Sequence, residues 1–368
     1  MRKSAFLLVL LLFLSLVLPT FSVPLVRAAD DSWSTLAEMP MARGGHGVAV
    51  VGSKIFVMGG SFGEGTTGNN EVYDPLTNTW TTKSSIPTPR SAFGIAAVEN
   101  KIYVIGGSYT GNTTSGLNEV YDPSTDTWET RTSMPTSRTY LVANEVNGKI
   151  YVMAGFTFPH PPFPTLCNKT EVYDPVTDSW TEKAQMPEFT DLGYGENVTS
   201  AVIDNKIYVT VGETLHIYNT ENDSWSLGAS VPTTIHGGAV MGATTGEWAP
   251  KRLYLFGGYG YQYGNTLNLT RVYDPEENVW SYGAQMPTPR FGHVVAVLND
   301  TLYLIGGTVG ENVSFYALTA LNEQYTPLGY IPEFPSWTPV LIMLIAFMAI
   351  AFIYKRKLKT TNCERRLK

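Results

Sequence analysis

Six short stretches of the chain share one pattern: KIFVMGG (54–60), KIYVIGG (101–107), KIYVMAG (149–155), KIYVTVG (206–212), RLYLFGG (252–258) and TLYLIGG (301–307). Each alternates its apolar side chains and stops at glycine, which predicts a short β-strand and not a helix. Upstream of it lies a second apolar strand, as in GGHGVAVV (44–51) and FGHVVAVL (291–298). The two are joined by turns such as VNGK (146–149) and IDNK (203–206), whose Asn and Gly suit a hairpin. Downstream comes a segment built on tyrosine: Tyr73, Tyr121, Tyr173, Tyr218, Tyr273 and Tyr325. Asp-Pro follows several of these and starts a turn. Seven residues after five of the tyrosines stands a tryptophan: Trp80, Trp128, Trp180, Trp225 and Trp280. Each unit therefore reads as four strands repeated every 45–50 residues or so, which predicts an all-β ring of blades.

The sixth unit lacks its tryptophan. Seven past Tyr325 stands Pro332, while SWSTLAEMP (32–40) matches SWTEKAQMP (179–187) and has no blade before it. An open ring would leave two raw sheet edges. The expectation is that Trp33 lies on an N-terminal strand that pairs with the Tyr325 segment and closes six blades.

These units resemble Kelch repeats. The resemblance rests on the pairs Gly59/Gly60, Gly106/Gly107, Gly257/Gly258 and Gly306/Gly307 and on the Tyr and Trp series, and it covers residues 32 to about 328. Units three and four depart from it with Ala154-Gly155 and Val211-Gly212, so those blades are expected to be kept but locally altered. The fold expected is a six-bladed Kelch β-propeller closed by the N-terminal strand, plus one C-terminal transmembrane helix.

The ends of the chain change the picture. Arg2 and Lys3 precede an apolar run from Ala5 to Leu18, and small residues follow at 28–29, so residues 1–28 read as an export signal. At the other end VLIMLIAFMAIAFIY (340–354) reads as a membrane span, with Lys355, Arg356, Lys357 and Lys359 as its cytoplasmic anchor. The domain reading is signal 1–28, propeller 29–328, Pro-rich stalk 329–339, helix 340–354 and basic tail 355–368. PEFPSW ahead of the apolar run also resembles PEF-type sorting signals, which implies a sorting transpeptidase as a partner. Of the 25 basic residues three lie in the leader and seven in the tail; of the 32 acidic residues only Glu364 does. The exported part, with 15 basic against 31 acidic residues, repels nucleic acid. Two cysteines form no disulfide framework.

Strand alternation puts the loop before strand one and the loop after strand two on one face. The second of these varies widely, from nearly nothing in unit four to FTFPHPPFPTLCNK (156–169). Variable loops on a rigid scaffold predict a binding face. Arg43, Arg90, Arg138 and Arg290 each stand twelve residues before the Ile or Leu of the glycine-ended strand, at the mouth of the ring on that face. In Kelch propellers that bind peptides, arginines at this kind of position contact acidic ligands, so the resemblance makes these four candidate ligand contacts. A structural role against the neighbouring blade is the competing assignment. His46 and His293 each follow such an arginine by three residues and belong to blades that closure makes neighbours. They join the candidate set, though two histidines with no third ligand do not predict a metal. His160, His216 and His236 share no repeat position with them.

The function expected is cell-surface, non-catalytic binding of an extracellular glycan or protein, with no cofactor. Alternatives are an exported carbohydrate-active enzyme, similar to sialic acid epimerases or copper radical oxidases, and a structural envelope component. Cys167, the one exported cysteine, has no motif tying it to a tyrosine as such an oxidase requires. Asn112, Asn168, Asn222, Asn268, Asn299 and Asn312 are candidate glycosylation sites. Asn197 falls on a predicted inner strand and is expected to be bare.

Overall fold

Turn chemistry and aromatic spacing produce six antiparallel four-stranded sheets. The structure is a computed structural model that describes residues 31–330 except 64, 110–112, 161–162, 188–197, 233–236, 261–264 and 311–316. In blade 1 the strands are Gly47–Val51, Lys54–Met58, Asn70–Asp74 and Thr79–Lys83, paired in that order. Blades 2 to 5 repeat this order over residues 94–131, 142–183, 198–227 and 240–282. The innermost strands touch one another in a closed circle, the last of them, Val294–Leu298, lying against both Gly47–Val51 and Val240–Ala243.

Blade 6 is closed from the other end of the chain. Ser32–Thr35 pairs antiparallel with Asn322–Thr326, setting Trp33 opposite Tyr325. The register is that of every other blade, where Tyr73 faces Trp80 and Tyr121 faces Trp128. The Trp33 and Tyr325 ring centroids are 4.9 Å apart, against 5.0 Å for those two pairs. The main chain then continues the closure, with the Leu36 and Met39 amides donating to the Asn322 and Ala320 carbonyls.

Two circuits of side chains hold the blades to one another. Each strand-three tyrosine is buried and packs on a strand-two aromatic of the preceding blade: Tyr73 on Tyr303, Tyr121 on Phe56, Tyr173 on Tyr103, Tyr218 on Tyr151, Tyr273 on Tyr208 and Tyr325 on Tyr254. Farther out, each tryptophan Nε1 donates to a carbonyl four residues past the preceding tryptophan. The donations run Trp80 to Ala37, Trp128 to Ser84, Trp180 to Thr132, Trp225 to Ala184, Trp280 to Ala229 and Trp33 to Ala284, all at 2.8–3.0 Å. The amide of that same carbonyl-bearing residue donates to an Asn or Asp two residues before the tryptophan, as from Ala37 to Asn78 and from Ala284 to Asp31. In five blades that Asn or Asp also accepts the tyrosine hydroxyl, as in Tyr73 to Asn78. Its positive φ, 53° at Asn78 and 57° at Asp126, is the left-handed turn these two residue types tolerate. A buried hydroxyl or indole N–H is costly without a partner, and this circuit supplies one at every blade.

The glycine pairs end strand two because the next blade leaves no room for a side chain at the first glycine, and the segment entering the same blade leaves none at the second. A Cβ on Gly60 would sit 2.8 Å from the Cβ of His46, and one on Gly107 would sit 2.8 Å from that of Phe93. In blade 3 Ala154 takes the first position with φ 55° and the blade is otherwise regular. In blade 4 strand two runs on through Val211, and the turn at Gly212, φ 57°, leads directly into Thr214–Asn219. The insertion TTGEWAPK (244–251) is moored by Asp300 of blade 6, which accepts the amides of Thr245, Trp248 and Ala249. Burial pushes this carboxyl upward, but the three amides outweigh it and leave its pKa below the ordinary carboxylate value.

Among the described residues no helix is long and apolar enough to cross a membrane. The expected signal (1–28), span (340–354) and basic tail (355–368), and the stalk beyond Tyr330, lie outside the described residues.

Candidate functional site

The loop face carries a crown of small hairpins. Ser61–Phe62 pairs with Gly65–Thr66, Phe156–His160 with Phe163–Leu166, Tyr259–Gly260 with Asn265–Thr266, and Thr308–Val309 with Ala317–Leu318. Each is tied to the start of its own blade by a bridge, such as Gly44 to Ser61, Gly237 to Tyr259 and Phe291 to Thr308. Blade 4, with its direct turn at Gly212, contributes no hairpin between its second and third strands. Inside the crown, at the mouth of the central channel, lies a cavity of about 260 Å³. Its lining includes Ser61, Ser91, Tyr140, Gly238, Phe291 and Thr308. The opposite face is charged: Lys54, Lys101, Lys149 and Arg252 pair there with Asp74, Asp122, Asp174 and Asp274.

Burial corrects the expectation that Arg43, Arg90, Arg138 and Arg290 read an acidic ligand. All four are 0 % exposed. Each is paired with a buried glutamate two residues before its blade's tyrosine: Glu71, Glu119, Glu171 and Glu323 respectively. The Arg138–Glu171 and Arg290–Glu323 pairs measure 2.5 and 3.0 Å. Arg43, Arg90 and Arg290 also donate to strand-two carbonyls, Val57, Val104 and Leu304. Arg138 donates to Ala154 and Lys169 carbonyls and lies 3.4 Å from the buried Cys167 Sγ. Thr88, Thr136 and Thr288 hydroxyls cap the other carboxylate oxygen. The competing assignment, a structural one, is the one this geometry supports. These groups lock strand three to the segment entering each blade.

His46 and His293 are likewise 6 % and 2 % exposed. Each wedges against the glycine pair of the blade before it. A Cβ on Gly306 would meet His46 Cε1 at 2.6 Å, and one on Gly257 would meet His293 Cε1 at 2.9 Å. Phe93 and Leu141 hold the same wedge position against Gly59 and Gly106. His46 Nε2 lies 3.1 Å from the Ile305 carbonyl, so in the neutral ring that nitrogen carries the proton and donates. Burial first and the Arg43 charge second lower its pKa to about 3, and burial with Arg290 and His46 holds His293 well below its ordinary value. Both rings are neutral at pH 7.

A pH dependence follows with a definite sign. Unfolded histidine takes a proton near pH 6.5 while His46 folded does so only near 3. Between these values the unfolded chain binds more protons, so stability is full above pH 6.5 and falls as the pH drops through this window. By pH 5 the loss is about 2 kcal/mol for His46, and His293 and His216, both lowered by burial, add to it in the same direction. Denaturant melts at pH 7 and pH 5 on the wild type and on His46→Phe, the residue blade 2 uses, measure it. The variant should lose the His46 share, about 2 kcal/mol of the difference; an unchanged slope would contradict the neutral wedge.

Tyr140 is the residue sequence reading missed. It sits two past Arg138, where units one and six read Gly45 and Gly292, and its φ is 54°. Ala92, with φ 53°, holds this place in blade 2. The position is left-handed because its amide reaches sideways to the preceding blade: Tyr140 to the Ala92 carbonyl, Ala92 to Gly45, Gly292 to Gly238, at 2.7–2.8 Å. A bulky aromatic there is strained by about 1–3 kcal/mol. Tyr140 nevertheless stands 40 % exposed over the cavity, with Phe62 41 % exposed on the first hairpin. The signal was available as a Tyr in a column of Gly, Ala and Gly.

Of the other sequence-stated positions, Asn222 and Asn299 are exposed, while Asn168 and Asn268 are half-buried at the approach to strand three. Asn112, Asn197, Asn312 and His236 lie outside the described residues, as does the side chain of His160. His216 is buried in blade 4 at the glutamate position. Among the described residues no group of three or more His, Cys, Asp or Glu is placed to hold a metal.

Fold and repeat chemistry together define a closed propeller of six Kelch-type blades. The chain belongs to the Kelch-repeat β-propellers: the FKB95 Kelch-repeats domain matches residues 82–238, and the Kelch motif matches 42–87 and 250–287. Kelch-like protein 23 of Pongo abelii is 30% identical over 156 residues, 39% of this chain and 25% of that protein. Kelch-like protein 25 of Xenopus tropicalis is 26% identical over 175 residues, 43% of this chain and 28% of its own length. The matched part thus spans about a quarter of the length of these relatives. The solved structure of YjhT superposes with a TM-score of 0.63 over 78% of this chain and 96% of its own, at 17% identity, which shows a common fold.

Proposed function

We propose that this propeller is a non-catalytic binding module that takes an extracellular glycan or protein on its loop face. In this reading it is exported by residues 1–28 and held at the cell membrane by the 340–354 segment, with the sorting transpeptidase as processing partner. The observation that carries the reading is Tyr140: a strained, half-exposed aromatic kept over the channel mouth where glycine is the relaxed choice. Strain of this kind marks ligand sites. The neighbouring hydroxyls of Ser61, Ser91 and Thr308 and the Phe291 ring suit a polar ligand with apolar faces, such as a sugar.

Saturation-transfer NMR on the full chain against a panel of free sugars, sialic acids included, tests this. The expected result is transfer with no chemical change, reduced at least tenfold in affinity by Tyr140→Gly with no loss of thermal stability. New product peaks or anomer exchange would make it an enzyme. Equal binding by Tyr140→Gly would remove the mouth as the site.

A further inference from the structure

Blade 5 breaks the charge pattern of the ring. Blades 1, 2, 3 and 6 each bury one guanidinium and one carboxylate. At the glutamate position of blade 5, two residues before Tyr273, stands Arg271, 0 % exposed. It shares the strand face of Tyr273, which packs with Tyr208 and Leu215 of blade 4. Its Nη1 donates to the Gly257 carbonyl at 3.3 Å. Among the described residues Nε and Nη2 meet no acceptor and Arg271 makes no ion pair. Nε is unbonded in the other four arginines too, and Arg290 also leaves Nη1 open, but each of those four keeps a glutamate; what sets Arg271 apart is the missing acid, which leaves its whole Nε/Nη2 edge open. In sequence, the arginine position of this blade, one before Gly237, falls on His236 and supplies no carboxylate.

A guanidinium does not shed its proton to escape burial; burial lowers Arg271 only to about 10. A buried charge without a counter-charge is strongly destabilising. Nε–H and Nη2–H form the edge of the guanidinium that grips one anion with two parallel hydrogen bonds. Both atoms are closed to solvent, which selects a compact ion over a phosphate or an extended carboxylate. We propose that blade 5 holds a small monovalent anion of the chloride class against Nε and Nη2 of Arg271, replacing the glutamate of the other blades.

The test is thermal unfolding of the full chain while chloride replaces gluconate at constant ionic strength. Binding to the folded state alone raises the folded-to-unfolded ratio about tenfold for each tenfold rise in chloride above its dissociation constant. The wild type should show that rise and Arg271→Gln should be flat. Equal slopes in both overturn the proposal. Should Arg271→Gln fail to fold, bromide-soaked crystals of the wild type decide: an anomalous peak within hydrogen-bond reach of Nη2 is expected. No peak, or a carboxylate of the chain itself at Nη2, overturns it.

Discussion

Deleting residues 31–40 is expected to open the ring and lower the melting temperature by more than any single substitution discussed above. The deletion removes the outer strand of blade 6, the Trp33 ring against Tyr325 and Phe256, and the Trp33-to-Ala284 hydrogen bond. It also removes Ala37, the carbonyl that accepts from Trp80 of blade 1. Two of the six links in the outer circuit go together, and Asn322–Thr326 becomes a bare edge. Trp33→Ala alone should cost about 3 kcal/mol, at the lower end for a core tryptophan because the ring is half-buried. Trp128→Ala, in a blade closed by local hairpins, should cost a similar amount in equilibrium stability. The two should differ in proteolysis: Trp33→Ala releases a chain end and exposes residues 31–40 to cleavage, whereas Trp128→Ala does not. Equal protease resistance would mean that blade 6 is held without its N-terminal strand.

Breaking one buried arginine–glutamate pair should destabilise the propeller by about 3–5 kcal/mol. Arg90→Ala leaves Glu119 buried among groups arranged for an ion pair, and Arg138→Ala does the same to Glu171. Removing both partners is different. Arg90→Met with Glu119→Leu should recover most of the loss, since well-packed apolar side chains can replace a buried pair without penalty. A double-mutant cycle by urea denaturation reads both values. If Arg90→Ala kept its stability and lost ligand binding, the acidic-ligand expectation drawn from the resemblance would return.

Those two cases separate what could be read along the chain from what could not. Strand identity, the blade count and the closing role of Trp33 were legible because they rest on local spacing. Apolar alternation, glycine at a strand end and tryptophan seven past tyrosine are repeated often enough that one absence stands out. The Asn or Asp two before each tryptophan was legible in the same way and became meaningful only once Asn78 and Asp126 were seen to accept a tyrosine hydroxyl and a neighbouring amide.

The fate of the conserved-looking charges was a different matter. Arg43 and Glu71 are 28 residues apart, and Arg138 and Glu171 are 33. No periodicity tells whether two such side chains meet inside a blade or face solvent separately. His46 and Phe93 share one wedge position, yet imidazole beside phenyl in a sequence column says nothing of the Ile305 carbonyl 3.1 Å away from one of them. Tyr140 shows the same limit in the backbone: its strain comes from an amide drawn to the Ala92 carbonyl across a blade boundary. The sequence by itself determined the repeat, its strands and the number of blades, since neighbouring residues along a strand set those. Only the tertiary structure decided which polar groups are buried, paired or left open, because that depends on the blade next door.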